Sequence, residues 1–262
     1  MQIEKVIDHI VNWLKAYAEN AKCKGFVIGV SGGIDSAVTS TLCAKTGLDL
    51  LCLEMPIHQG KNQVTRADRH LDWLMENFPN VSRQPVNLTP VFDSLVDAFP
   101  KVDKEEERFM SLANTRARLR MTTLYYFAAL KGYLVAGTGN KVEDFGIGFY
   151  TKYGDGGVDL SPIADLLKTE VYEIGRALGV NQDILDAAPT DGLWGDSRTD
   201  EDQIGASYPE LEWAMEMDDK GKTAEDFSDR KKEIFTIYKT YNTANKHKMV
   251  PIPICEIPAA LK

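Results

Sequence analysis

A chain of 262 residues with 44% hydrophobic and 26% charged content has the make-up of a folded globular protein, which excludes disordered, collagen-like and coiled-coil classes. Thirty Lys plus Arg against thirty-nine Asp plus Glu leave a net charge of −9, so the molecule as a whole repels a phosphate backbone and a nucleic-acid partner is not expected.

Ile3, Val6, Ile7, Ile10, Val11 and Leu14 recur at helical spacing, which predicts an amphipathic helix over the first twenty residues. The run Gly25-Phe-Val-Ile-Gly-Val30 is short, apolar and β-branched, and it breaks into Ser31-Gly32-Gly33, as a buried strand entering a glycine turn does. Further short apolar runs at Leu48–Leu53, Val81–Leu88 and Tyr133–Ala136 are each separated by a helix-length segment. This alternation predicts an α/β fold, a doubly wound and mostly parallel sheet with helices on both faces, over a single domain 1–262. Ligands of such sheets gather where strands end, here after Val30, Leu53 and Val135. From Lys104 to Lys131 the pattern is one long helix carrying Arg116, Arg118 and Arg120. Helical periodicity resumes from Lys168 and runs through Glu225–Asn245, with a loop between Pro189 and Asp202, and the tail Pro251–Pro258 is too rich in proline for helix.

Cys23, Cys43, Cys52 and Cys255 show no CxxC pair and no zinc-ligand spacing, so reduced, buried thiols are expected. Residues 1–18 lack the apolar core of a signal peptide, and no stretch reaches the ~18 apolar residues of a membrane span. The expectation is a cytoplasmic protein without a membrane partner.

The sharpest chemical signal is Gly29-Val30-Ser31-Gly32-Gly33-Ile34-Asp35-Ser36, between a predicted strand and a predicted helix. Ser31, Gly32 and Gly33 let backbone N–H groups approach an anion closely, and the helix N-terminus adds positive dipole. A carboxylate at Asp35 fits beside phosphates once a divalent cation lies between them. The Lys of GxxxxGK[ST] is missing, so a Walker-type kinase or GTPase is not indicated.

SGGIDS resembles the pyrophosphate-binding loop of the N-type ATP pyrophosphatases, whose sheet is of the adenine-nucleotide alpha hydrolase-like kind. Within that superfamily, Leu134-Val-Ala-Gly-Thr-Gly-Asn-Lys-Val-Glu143, Thr151-Lys-Tyr-Gly-Asp-Gly-Gly-Val-Asp159, Pro162, Lys168, Asn114-Thr-Arg-Ala-Arg-Leu-Arg-Met121, the Gly205-to-Tyr208 region and His247-Lys248 resemble the ammonia-dependent NAD synthetases, in order, from about residue 25 to 250. The resemblance implies an ATP site at Gly29 to Ser36, Thr138, Lys168 and Thr199, with Asp35 and Glu143 holding Mg²⁺. It implies deamido-NAD contacts at Arg118, Lys152, Asp159, His247 and Lys248. It also implies an aspartate, Asp155, near the reacting carboxyl, with Lys168 sharing in catalysis.

The implied reaction is ATP-dependent amidation of deamido-NAD to NAD by ammonia, through an adenylate, releasing AMP and pyrophosphate. The first strand begins at residue 25, which leaves no room for a glutaminase domain before it, so ammonia is the expected nitrogen donor. The family also implies a homodimer with the 104–131 helix in the interface. The alternatives are another amidase or tRNA-modifying ligase of the same superfamily, and a non-catalytic adenine-nucleotide-binding regulator. Two segments, 189–202 and 247–249, are expected to order over bound substrates.

This chain departs from the family pattern in three places. Glu143 lies one residue further from the TKYGD stretch than is usual. Glu54-Met55-Pro56 stands where many members have a basic residue before the proline, with His58 or Gln59 as substitutes, and Met249 follows the His-Lys pair in place of arginine.

Overall fold

The computed structural model describes residues 1–59, 61–102, 105–189 and 199–262, with backbone only at 61–64 and 105–107. Among these residues four strands, β1 (Gly25–Gly29), β2 (Asp49–Glu54), β3 (Val81–Pro85) and β4 (Tyr133–Val135), form one parallel sheet in the order β3-β2-β1-β4. The central pair are near-continuous apolar runs because both of their faces are covered. Edge strand β3 instead carries Ser82, Arg83 and Gln84, of which Arg83 is half-buried.

Helices cover the two faces. α1 (Ile3–Asn20), α2 (Ile34–Lys45), α3 (Lys61–Asn77), α6 (Lys168–Leu178) and the short α7 (Gln182–Leu185) share a core with Phe26, Ile28, Leu50 and Cys52. α4 (Thr89–Ala98) and α5 (Glu105–Lys131) meet the alternate strand residues Val27, Leu51 and Leu53 through Phe92, Leu119 and Leu124. The strand period of two sends successive side chains to opposite faces, so one short strand feeds both cores. In α1 the predicted stripe is realised by Ile7, Ile10, Leu14 and Ala18, all buried.

A third cluster lies among α8 (Asp200–Ile204), α9 (Tyr208–Asp219) and α10 (Asp229–Met249), where Ile204, Leu211, Ile234, Phe235 and Tyr238 close around Val142 and Ile147. The last two belong to a π-helical turn, Val142–Ile147. The helical periodicity expected to Asn245 continues one turn further, and residues 250–258 form no helix. Of the thiols, Cys43 and Cys52 are buried, with burial pushing the Cys52 thiol up to about 12, while Cys23 is half-buried and Cys255 exposed, which corrects the expectation for those two.

The order of the strands reverses at β1, since β2 and β3 extend to one side and β4 returns to the other. A crevice opens beyond the carboxyl ends of the strands at such a point.

His70, on α3, is wholly buried, with its Nε2 2.9 Å from the Ser40 hydroxyl and its ring stacked on Trp73 at 5.7 Å. Burial pushes it down to about 4, because the imidazolium would lose its water. A depressed histidine adds stability that is complete above its unfolded pKa of ~6.5 and is lost as pH falls towards 4. Urea titrations should therefore show the wild type losing roughly 2–3 kcal/mol more than His70→Gln between pH 7 and pH 4.5. Equal losses in the two proteins would exclude His70 as the cause.

Candidate active site

β1 delivers the chain into Ser31-Gly32-Gly33, and α2 begins at Ile34. Gly32 has φ +81°, a left-handed conformation that a Cβ would strain. The turn is braced from within. The Ser31 N–H donates to the Ser36 hydroxyl at 3.2 Å, the Gly33 N–H donates to the Ser31 hydroxyl at 3.2 Å, and the Ser36 hydroxyl donates to the Gly33 carbonyl at 3.0 Å. Gly33 caps α2 with extended backbone and no side-chain hydrogen bond, so the helix presents its first N–H groups to whatever anion enters.

The turn forms one wall of a cleft of about 1060 Å³. Of the residues implicated by sequence, Gly29, Val30, Ser31, Gly33, Ile34, Asp35, Ser36, Thr138, Glu143, Asp155, Lys168 and Lys248 line it, and Gly32 lies in the turn behind.

At the centre of the cleft, two carboxylates more than a hundred residues apart meet one ammonium. Lys168 Nζ lies 2.5 Å from Asp35 Oδ2 and 2.9 Å from Glu143 Oε1, and Lys168 is only 3% exposed. Asn140 Nδ2 donates to Asp35 Oδ1 at 3.1 Å, and the Tyr208 hydroxyl donates to Glu143 Oε1 at 2.6 Å. Burial works to raise both carboxyls. In Glu143 the Lys168 charge and the bonds from Tyr208, Lys168 and Asn140 prevail and hold it below its ordinary range, whereas Asp35 stays raised by its burial. Burial opposes the ammonium, but Asp35 and Glu143 overcome this and raise it. Among the described residues no group of three or more His, Cys, Asp or Glu side chains could cage a metal ion. A pair of hard oxygen ligands suits Mg²⁺, which takes one or two carboxylates and fills its remaining positions with water and substrate phosphates.

Beyond Glu143 the π turn takes in one more residue than a regular helical turn, which is the usual way a helix absorbs a single insertion. Asp144, in that turn, lies so close to Gly139 that a Cβ there would fall 2.1 Å from its carboxylate. Burial, with the charges of Glu143, Asp155 and Asp35, pushes Asp144 up to about 8. Asp155 is likewise raised by burial, and its Oδ1 accepts the Thr151 N–H at 2.9 Å. Lys248 donates to the Gly148 and Tyr150 carbonyls at 2.8 Å each, so α10 ties down this loop.

The five remaining sequence candidates stand outside the cleft lining. Arg118 donates to the Lys152 carbonyl at 3.3 Å and Lys152 Nζ to the His247 carbonyl at 2.8 Å, forming an exposed basic chain from α5 to α10. Asp159 works within the fold, accepting the Tyr125 hydroxyl at 3.0 Å and the Val135 N–H at 2.8 Å. Thr199 is the N-cap of α8, with its hydroxyl paired to Asp202. Most of the expected 189–202 loop, residues 190–198, lies outside the described residues. Residues 247–249 form the last turn of α10.

Sequence reasoning did not find Arg83, Arg120 or Asn140. Arg83 reaches from β3 to Glu54 at the end of β2, with Nη2 donating to Oε1 at 2.8 Å, and also meets Asp68. The guanidinium is thus shared among the carboxylates of Glu54, Asp68 and Asp72. His58 instead pairs with Asp93, and Gln59 accepts from Arg120 Nη2 at 2.9 Å. Arg120 lines the cleft, pushed down to about 10 by burial and by Arg116. Its signal was present in the Arg116-Arg118-Arg120 cluster, but which arginine turns inward depends on the packing of α5.

Comparison with known proteins agrees with this geometry. A statistical description of the NAD synthase family, whose members are given as "NAD synthase", matches residues 6–251. The NH(3)-dependent NAD(+) synthetase of Carboxydothermus hydrogenoformans is 40% identical over 215 residues, which is 80% of this chain and 84% of that protein. The structure of NMN synthetase from Francisella tularensis is similar with a TM-score of 0.82 and 30% identity, covering 99% of both chains. The NH3-dependent NAD synthetase from Campylobacter jejuni is similar with a TM-score of 0.78 and 25% identity, covering 98% of this chain and all of that one.

Proposed function

The chain belongs to the NAD synthase family and catalyses ammonia-dependent NAD synthesis as a ligase, and from that premise we propose how its residues divide the work. The nicotinate carboxylate of deamido-NAD attacks the α-phosphorus of ATP and pyrophosphate leaves. Ammonia then attacks the acyl carbon of the adenylate and AMP leaves, giving NAD. Adenylation turns a poor leaving group into a good one, so the protein's part is positioning and charge stabilisation.

The observation that carries this reading is the convergence of Asp35, Glu143 and Lys168 beside the Ser31–Ser36 turn. The turn and the α2 N-terminus hold the departing pyrophosphate, and Thr138, Thr199 and Lys168 complete the ATP site. Asp35 and Glu143 would hold Mg²⁺, which when bound offsets charge on the phosphates and sharpens the α-phosphorus as an electrophile. To Asp155 we assign the proton that the attacking nitrogen must lose. Arg118, Lys152 and Lys248 offer cations and His247 an imidazole to the dinucleotide diphosphate, and Asp159 a carboxylate near its ribose. One domain over 1–262 and a cytoplasmic location belong to the same reading; no helix among the described residues is long and apolar enough to cross a membrane.

Incubation with ATP, Mg²⁺, ammonium and a panel of carboxylate acceptors should yield AMP and pyrophosphate in step with the amide. Release of ADP would overturn cleavage between the α and β phosphates. The likeness to an NMN synthetase makes the mononucleotide acceptor the one to compare. We expect the higher kcat/KM for deamido-NAD, since the cleft of about 1060 Å³ has room for two nucleotides. A preference for the mononucleotide would reassign the acceptor without touching the ATP chemistry.

We also propose a homodimer through α5. Tyr126 and Leu130, one helical turn apart on α5, are 63% and 62% exposed, and Ile252 and Ile254 of the tail are exposed as well. Light scattering at micromolar concentration should give twice the 29.2 kDa chain mass. Tyr126→Asp with Leu130→Asp should return it to the single-chain mass, because charge at the centre of an apolar contact has no partner. A single-chain mass for the wild type would refute the dimer.

A further inference from the structure

Lys168 stands where a lysine is hard to keep. It is the first residue of α6, at the positive end of a helix dipole, and it is almost completely buried. Both circumstances disfavour an ammonium. What holds it is the pair of carboxylates, 2.5 and 2.9 Å away, together with the Tyr208 ring 4.7 Å from Nζ. The space between Asp35 Oδ2 and Glu143 Oε1 is filled by this chain's own cation.

A divalent ion bound by Asp35 and Glu143 needs that same point. Mg²⁺ sits ~2.1 Å from carboxylate oxygens, less than an ångström inside the present N···O distances of 2.5 and 2.9 Å, and a +2 and a +1 charge cannot share so small a space without strong repulsion. The Ser31–Ser36 turn adjoins Asp35 in the chain, so an arriving triphosphate offers the ammonium a second anion.

Resting on the assignment of Asp35 and Glu143 as metal ligands, we propose that Lys168 is a resident stand-in for the divalent cation: it holds the two carboxylates together in the empty enzyme and must withdraw to the phosphates before metal can bind. Metal and nucleotide then enter together, and the enzyme without nucleotide has little affinity for metal. Lys168 has two successive partners, and the carboxylates are never left facing each other without a cation. Asn140 and Tyr208, which donate to oxygens of Asp35 and Glu143, keep the carboxylates in place during the exchange.

The test reads metal binding alone, with Mn²⁺ followed by electron paramagnetic resonance and no substrate present. Wild-type enzyme should show no Mn²⁺ site tighter than millimolar, whereas Lys168→Gln should bind one Mn²⁺ at least about tenfold more tightly, and adding Asp35→Asn should abolish that site. A folded Lys168→Gln that gains no affinity overturns the stand-in role. So does a micromolar Mn²⁺ site in the wild type that Asp35→Asn removes, a measurement that does not depend on the Lys168 variant folding. The metal assignment itself is read separately. Wild type with a non-hydrolysable ATP analogue should take up one Mn²⁺ that Glu143→Gln loses. If that uptake is unchanged in Glu143→Gln, the metal ligands are wrong and the stand-in role falls with them; if it is lost while Lys168→Gln behaves as wild type, only the stand-in role fails.

Discussion

Asp35→Asn and Glu143→Gln are each expected to lower turnover at least ~10²-fold while leaving the fold intact, because each removes a hard oxygen ligand and a negative charge from the centre of the cleft without changing its volume. Stability should hold because of the charge count. Two carboxylates face one ammonium, so the loss of either still leaves Lys168 paired one to one, at 2.9 Å from Glu143 in the first variant and 2.5 Å from Asp35 in the second. Steady-state rates with ATP, deamido-NAD and ammonium, beside thermal unfolding of the same samples, check both halves. Wild-type rates in either variant would remove that residue from the metal site, and a collapse of the unfolding midpoint would show that the carboxylate is structural.

Lys168→Met should have the opposite balance, with a ~10³-fold loss of turnover and also a large loss of stability. Its ammonium is the only cation bonded to the two half-buried carboxylates among the described residues, and removing the buried partner of such an ion pair costs about 3–5 kcal/mol. In a chain of this length that shifts the unfolding midpoint down by roughly 10 °C. The decisive measurement is the double variant with Asp35→Asn. If the cost arises from two unpartnered like charges, neutralising one returns part of the stability, so the pair of changes is less damaging than their sum. Additive losses would show that the lysine stem packs the core of α6 and that its charge is incidental.

What was legible in the sequence follows from local physics. The Gly25–Val30 run, the turn Ser31-Gly32-Gly33 and the stripe Ile7-Ile10-Leu14 each depend on periodicity and backbone freedom within a few residues, and the structure realises all three. The β-α-β alternation determined the parallel sheet for the same reason, because a strand covered on both faces must be continuously apolar. The family motifs extended this to the site, because Asp35, Thr138, Glu143, Asp155 and Lys168 sit in short segments whose chemistry and local geometry go together.

Only the tertiary structure decided which chemistry-bearing side chains share a space. Arg83 was unremarkable in β3 until the register beside β2 carried its guanidinium to Glu54. Arg118 and Arg120 are two residues apart and equally basic, yet the pitch of α5 sends Arg120 into the cleft and leaves Arg118 on the rim. Asp159 carries a carboxylate of the ligand kind, but the Tyr125 hydroxyl of α5 and the Val135 N–H of β4 each bond one of its oxygens. The π turn that carries Glu143 and packs against α10 left no mark in the sequence pattern. Backbone conformation is set largely by neighbours in sequence, whereas the partner of a charge is set by register, helix rotation and burial, and these are fixed only when the cores close.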